Sequence, residues 1–328
     1  MAATVIPTLT SDGWQLPLHF YGASRSSFAH PVLMVHGLGA NRLNLDLDAR
    51  LSIARAARDR GFNVYLLELR GAGMSEPPQG KERGELEWGF GEHRDLDLPA
   101  ALKAVLAHSG ATAVHAFGHS MGGMLVAAMA AGTAQHRIRS LTAVASPLVK
   151  GLELAPRERR LLEVGARLAP ANPMRHVPLK PLMLAAGSVI SFSAKLVDGM
   201  LLNAQNCDDE VMARMAKEGI ADVPVKLLLQ IAAQLSGEAS EGLPFEHEDR
   251  LGRVRVPAFV VSGSVDRVAP KAAVQAFANR LGSKDLRYRE MGRSFGDGTD
   301  YGHGDLLVGR NAPEEVFPLL LDFLEQVD

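Results

Sequence analysis

The chain reads as an α/β protein with a mostly parallel central sheet flanked by helices and interrupted by one helical insertion. Three observations predict this. Short apolar runs alternate with helical patterns over most of the 328 residues, the signature of a parallel sheet covered by helices. One of those runs, Ala113-Val114-His115-Ala116-Phe117, ends in Gly118-His119-Ser120-Met121-Gly122 and opens directly into a helical pattern. Between Pro147 and Arg253 the alternation stops, and the sequence turns Leu- and Ala-rich and is cut by prolines at 156, 170, 173, 178, 181, 224 and 244. A stretch that long is not a structureless loop in a compact domain, so it reads as an inserted cap. The expected organisation is a core over 1–146, a helical cap over 147–253 and the rest of the core over 254–328.

The elements follow in order. Thr10-Ser11-Asp12-Gly13 is a turn signal, and Trp14, Leu16, Leu18 and Phe20 after it share one face of an alternating strand. Further strands are expected at Pro31 to Val35, Phe62 to Leu69, Ala113 to Phe117, Leu141 to Ala145, Pro257 to Ser262 and Leu286 to Met291. Helices fill the gaps at Asp46 to Arg60, Asp95 to His108, Met121 to Ala131, Lys271 to Leu281 and Pro313 to Gln326. Inside the insertion, Pro181 to Ala194 carries no charge, but it is shorter than the roughly 18 to 20 apolar residues that span a bilayer. It reads as a buried cap helix, with shallow contact to a lipid surface as the alternative.

Composition narrows the function classes. Hydrophobic side chains make up 47% of the chain, enough for a large core and an accessory lobe. The formal charge of −2, without a basic run, offers no footprint for nucleic acid. Cys207 is the only cysteine, so no disulfide forms within the chain, and the first residues lack the basic and apolar regions of a signal peptide. A cytoplasmic protein is the default expectation. There is no HExxH, no paired Cys/His spacing and no dinucleotide-binding glycine pattern, so no metal or cofactor is expected.

Ser120 stands on a strand-to-helix turn whose flanking glycines permit a tight backbone, so its hydroxyl can project from the sheet edge. The amide of Met121 then lies at a helix N-terminus, where unpaired N–H groups favour a developing negative charge. His36-Gly37-Leu38-Gly39-Ala40-Asn41 follows another strand; it is either a plain glycine turn or a loop whose Leu38 amide supplies a second oxyanion donor. His36 reads as a support of that loop. Asp266, just past the strand ending near Ser262, could cap a helix or hold an imidazole in one tautomer. His303 is the one histidine among eleven in the glycine-rich loop after the last strand, which makes it the preferred base, whereas His119 should point elsewhere on the turn.

These pieces, in the order Ser120, Asp266, His303, resemble the α/β-hydrolase superfamily, in its serine esterase and lipase-like branch with an inserted helical cap. The resemblance also includes Leu69-Arg70-Gly71-Ala72-Gly73-Met74-Ser75, and Leu202-Asn203-Ala204-Gln205-Asn206 is similar to caps of the acid-lipase and polyhydroxyalkanoate-synthase-like branches. Dehalogenases and epoxide hydrolases carry aspartate, and polymer synthases cysteine, where this chain has Ser120. The resemblance implies hydrolysis of a small-molecule carboxylic ester through an acyl-enzyme, with acyl transfer or thioester hydrolysis by the same triad as the alternative and a non-catalytic binding module as the lesser one. Trp88 and Phe90, in a stretch that reads as a mobile loop, and Leu182, Met183, Phe192 and Met200 of the cap are candidates to line an apolar acyl pocket; each reads equally well as core.

Overall fold

The computed structural model describes residues 3–149, 175–177, 202–236 and 250–328. Its centre is an eight-stranded sheet. In chain order the strands are β1 Thr4–Leu9, β2 Gln15–Tyr21, β3 Val32–Val35, β4 Val64–Leu67, β5 Val114–His119, β6 Ile138–Val144, β9 Ala258–Gly263 and β10 Leu286–Met291, with a separate two-stranded pair, β7 His176–Val177 and β8 Val223–Pro224, inside the insertion. Spatially the large sheet runs β1-β2-β4-β3-β5-β6-β9-β10. β1 and β2 are antiparallel to their neighbours, and every pairing from β4 to β10 is parallel.

Apolar side chains on both faces explain the middle of the sheet. Val32–Val35 and Val64–Leu67 are buried at every position, as strands with helices on both sides must be. The antiparallel edge grades outward instead: β2 is buried from Leu16 to His19, and β1 is mostly exposed. β1 has no counterpart among the expected strands: its burial is weak along most of its length, and it is held by its hydrogen-bonded ladder to β2.

The expected helices exist with shifted starts. The helix expected from Asp46 begins at Ile53, capped by the Ser52 hydroxyl, because Asp46 is drawn into a cluster with Tyr21 and Arg55. The helix expected from Asp95 runs Leu98–Ser109 and is preceded by a π-turn over His93–Asp97. At the C-terminal end Ala312–Glu315 and Phe317–Gln326 form two helices, the second with proline in its first turn.

No strand of the large sheet lies between β6 and β9 among the described residues. The described part of the insertion docks on the loop after β3: the Ala221 amide donates to the Gly39 carbonyl at 2.9 Å, and Asn41 Nδ2 donates to the Glu218 carbonyl at 2.6 Å. Leu202, Cys207 and Val211 pack with Leu43, Leu47, Leu51 and Val308 in a second small core. At the opposite end of the strands, His30 Nδ1 and His115 Nε2 each meet Asp328 Oδ1 at 3.1 Å, tying the chain end to the start of β5.

Candidate active site

β5 runs straight into Ser120, and the Met121–Ala131 helix begins at the next residue. Ser120 has φ 54° and ψ −122°, a conformation that side-chain-bearing residues rarely adopt and that costs on the order of 1–3 kcal/mol. Three backbone hydrogen bonds hold it there: the Ser120 amide donates to Val144 O at 2.8 Å, and its carbonyl accepts from Gly123 at 3.0 Å and Met124 at 3.2 Å. The flanking glycines are required by close approach. A Cβ on Gly118 would lie 2.2 Å from the Gly122 carbonyl carbon, and one on Gly122 would lie 2.2 Å from Val35 O. The strand, the turn and the helix can come this close only without those side chains.

The Met121 amide lies in the first turn of its helix, where no intrahelical acceptor exists and the helix dipole is positive. Across from it, the Gly37–Leu38 peptide is oriented by His36, whose Nδ1 donates to Gly37 O at 2.9 Å while its Nε2 accepts from the Leu69 amide at 3.2 Å. In a planar trans peptide the N–H points opposite the carbonyl, so fixing Gly37 O fixes the direction of the Leu38 amide. The two hydrogen bonds need a neutral ring with its proton on Nδ1, and complete burial holds the His36 pKa below its ordinary value. The preceding peptide is fixed as well, by the Gly37 amide donating to Asn44 Oδ1 at 3.2 Å.

His303 Nδ1 donates to Asp266 Oδ2 at 2.8 Å, and Asp266 Oδ1 accepts from the Val268 and Ala269 amides at 2.9 and 2.8 Å. The aspartate thus both caps its own turn and holds the imidazole; the two roles weighed from sequence coexist. Ser120 and His303 open on the same cavity, 8% and 6% exposed, without a hydrogen bond between them in this structure. His119 turns away from the hydroxyl and donates from Nε2 to the His303 carbonyl at 3.1 Å. Burial, reinforced by the neighbouring His303, lowers its pKa to about 3, so it stays a neutral strut.

Behind His303, Asp305 accepts from the Gly302 and Asn203 amides at 3.0 Å and from Asn206 Nδ2 at 3.1 Å, which staples the imidazole loop to the returning insertion. Desolvation raises its pKa. Sequence reasoning missed Asp305 and Asn44, because each acts on backbone groups that only the fold brings near; His119 takes the structural place read for it.

The cavity over Ser120 measures about 320 Å³. Its walls are mostly apolar, with Leu38, Leu202, Met212, Met215, Ile220 and Val308 prominent. Trp88 and Phe90 are not among them; Trp88 lines a small separate pocket together with Leu38 and Met121. Both are buried in the core: Trp88 meets Trp14 edge-on with ring centres 5.1 Å apart, and the Phe90 amide donates to Gln230 Oε1. Glu92 ties that stretch down by accepting from the Gly89 amide and Lys226. Leu182, Met183, Phe192 and Met200 lie outside the described residues. Among the described residues, His30, His115 and Asp328 are grouped closely enough to hold a metal ion, at the end of the strands away from Ser120; there the two rings and the carboxylate already satisfy one another by hydrogen bonds.

A family model described as alpha/beta hydrolase fold matches residues 30–169, the span from the start of β3 past β6. The protein has the α/β-hydrolase fold. Structures similar over nearly the whole chain include a thermophilic esterase from Thermogutta terrifontis, with a TM-score of 0.63, 18% identity and coverage of 100% of this chain and 99% of that one. A monoacylglycerol lipase from Paleococcus ferrophilus gives a TM-score of 0.61 at 17% identity, covering 95% and 99%. In sequence, the chain is 34% identical over 128 residues to a triacylglycerol lipase from Pseudarthrobacter phenanthrenivorans, covering 39% of this chain and 34% of the relative. A triacylglycerol lipase from Burkholderia plantarii matches at the same identity over 31% of its length. The chain thus spans about a third of the length of these curated relatives. No helix among the described residues is long and apolar enough to cross a membrane.

Proposed function

We propose that the protein hydrolyses carboxylic esters with an apolar acyl chain through an acyl-enzyme on Ser120. The observation that carries this reading is that Ser120, on its strained turn, and His303, held by Asp266, share one mostly apolar cavity. The lipase relatives and the esterase and lipase neighbours support the reaction class. As Ser120 Oγ adds to the ester carbonyl carbon, its proton passes to His303 Nε2, and Asp266 stabilises the imidazolium. The Leu38 and Met121 amides receive the oxyanion; one such donor is worth roughly 3 to 4 kcal/mol of barrier. Collapse expels the alcohol, which takes the proton from Nε2. Water then repeats the sequence on the acyl-enzyme, releasing the acid and returning the proton to Ser120.

The 202–236 part of the insertion, with Met212, Met215 and Ile220 on the cavity wall, acts as the described portion of the cap and shapes the acyl site. The test is a series of aryl esters of increasing chain length, run beside Ser120→Ala and His303→Ala with fluorophosphonate labelling. Expected are activity reaching medium acyl chains, one label on Ser120, and loss of turnover in both variants. An unlabelled serine overturns the mechanism, and activity confined to acetyl esters overturns the acyl-chain assignment.

A further inference from the structure

Within that cavity one hydrogen-bond donor is left without a task. Asn44 ends the turn Arg42–Asn44 after the Gly37–Gly39 loop, is 3% exposed and lines the cavity beside Ser120. Its Oδ1 accepts the Gly37 amide, which fixes which end of the amide is the NH2 group. Nδ2 makes no hydrogen bond among the described residues, yet it is not among the atoms sealed from solvent without a partner. It therefore opens onto the cavity. The other polar atoms without a partner there are Ser120 Oγ and His303 Nε2, which the proposed reaction uses, and His119 Nδ1, which carries no proton in a neutral ring whose Nε2 donates to the His303 carbonyl.

We infer that Asn44 is a substrate-binding residue, whose Nδ2 donates a hydrogen bond to a second oxygen carried by the ester, close to the scissile group. The inference rests on the ester-hydrolase reading and sharpens it. A donor inside an apolar wall discriminates because a hydrocarbon placed against it leaves the N–H groups unmatched, whereas a hydroxyl, ether or keto oxygen replaces the water they lose. The substrate class is an oxygenated ester of medium chain length, with the extra acceptor on either the acyl or the alcohol part. The rigid tie from Asn44 Oδ1 to the Gly37 amide keeps the donor at a fixed place relative to the Leu38 peptide, so its preference should depend on where that oxygen sits.

The experiment compares kcat/KM for three esters of equal chain length on the full chain: a plain alkyl ester, one with a hydroxyl on the acyl part, and one with a hydroxyl on the alcohol part. The wild type should prefer one hydroxylated ester by on the order of tenfold, and the favoured arm assigns the side. Asn44→Asp keeps an acceptor for the Gly37 amide and removes the donor, so the ratio between hydroxylated and plain ester should fall toward one whatever happens to the rates themselves. On the unaltered protein, inhibition by the matching hydroxylated product should be tighter than by its plain counterpart, a reading that survives if Asn44→Asp does not fold. Equal kcat/KM for all three esters in the wild type, or a ratio unmoved in Asn44→Asp, overturns the inference and leaves ester hydrolysis standing. Failure of the wild type to hydrolyse any of them, with Ser120 unlabelled, removes both.

Discussion

Two histidine–aspartate pairs sit at opposite ends of the sheet's strands, and their contrast separates a structural clamp from reactive chemistry. His303 and Asp266 meet at 2.8 Å beyond the C-terminal ends of the parallel strands, and His115 and Asp328 meet at 3.1 Å near the start of β5. The chemical pair is the same and the distances are close. What differs is what the imidazole faces. His303 opens on a cavity shared with Ser120, whereas the other nitrogen of His115 is engaged by Ser140 Oγ at 2.8 Å, with burial pushing its pKa to about 4. Both nitrogens of one ring are occupied by structure; the other ring keeps one for substrate chemistry.

The sharpest way to break this contrast is to remove the same charge at both ends. Asp266→Asn should lower kcat by about 10³ to 10⁴-fold, because the imidazole loses both its tautomer and the stabilisation of its charged form, and stopped-flow or steady-state assays with a saturating aryl ester check it. Asp328→Asn should leave kcat within about twofold and lower unfolding stability by about 1 to 2 kcal/mol in a urea titration, the worth of a few hydrogen bonds at a partly buried carboxylate. Equal losses of activity in the two variants would erase the distinction.

The same contrast explains how much was legible from sequence. The strands other than β1, the turn at Ser120 and the order of Asp266 and His303 after it depend on local periodicity, chain order and glycine at positions 118 and 122, all visible in the chain. Hidden were contacts between residues far apart in sequence: Asp305 stapling Asn203 and Asn206, and Ala221 reaching Gly39. Trp88 and Phe90 show the error in the other direction. The stretch reads as a loop in sequence, but its aromatic rings pack against Trp14 and the core.

Acid should weaken the fold. His36, His115 and His119 are all held below their ordinary pKa by burial, so the unfolded chain binds protons that the folded chain refuses. The sign follows: their contribution is fully present above about pH 6.5 and is lost as the pH falls toward the depressed folded values. For His115, whose folded value is about 4, the loss is on the order of 3 kcal/mol by pH 4. Asp305 opposes it in part, since its raised pKa lets the folded state take up a proton first. Denaturant midpoints from pH 8 to 4 should therefore fall with pH, and a flat series would contradict the neutral assignment of the three rings.

His36→Leu should act on rate through orientation alone. Without the Nδ1 donor, Gly37 O loses the bond that fixes the Leu38 amide, while Ser120, His303 and the cavity walls are untouched. A fall in kcat of about 10- to 100-fold is expected, with a smaller change in KM, since the oxyanion exists only on the way over the barrier. A change confined to KM would mean that the Leu38 amide does not face the reacting carbonyl.

The smallest effect comes from a second strained residue. Ser120 and Ala145 are the two non-glycine residues with positive φ among the described residues, at 54° and 51°, and they sit at adjacent strand ends, with the Ser120 amide bonded to Val144 O. The strain at Ser120 aims a hydroxyl, whereas the strain at Ala145 aims only a methyl group. Its amide is bonded to Val261 O at 2.8 Å, so the ladder to β9 sets its backbone. Glycine meets that conformation without the steric penalty but adds freedom to the unfolded chain, so Ala145→Gly should gain about 0 to 1 kcal/mol rather than lose the amount usual for alanine to glycine. Differential scanning calorimetry reads the sign. A clear loss of stability would show that the left-handed backbone at the end of β6 carries little strain, and that the turn at Ser120 is the place where this fold stores it.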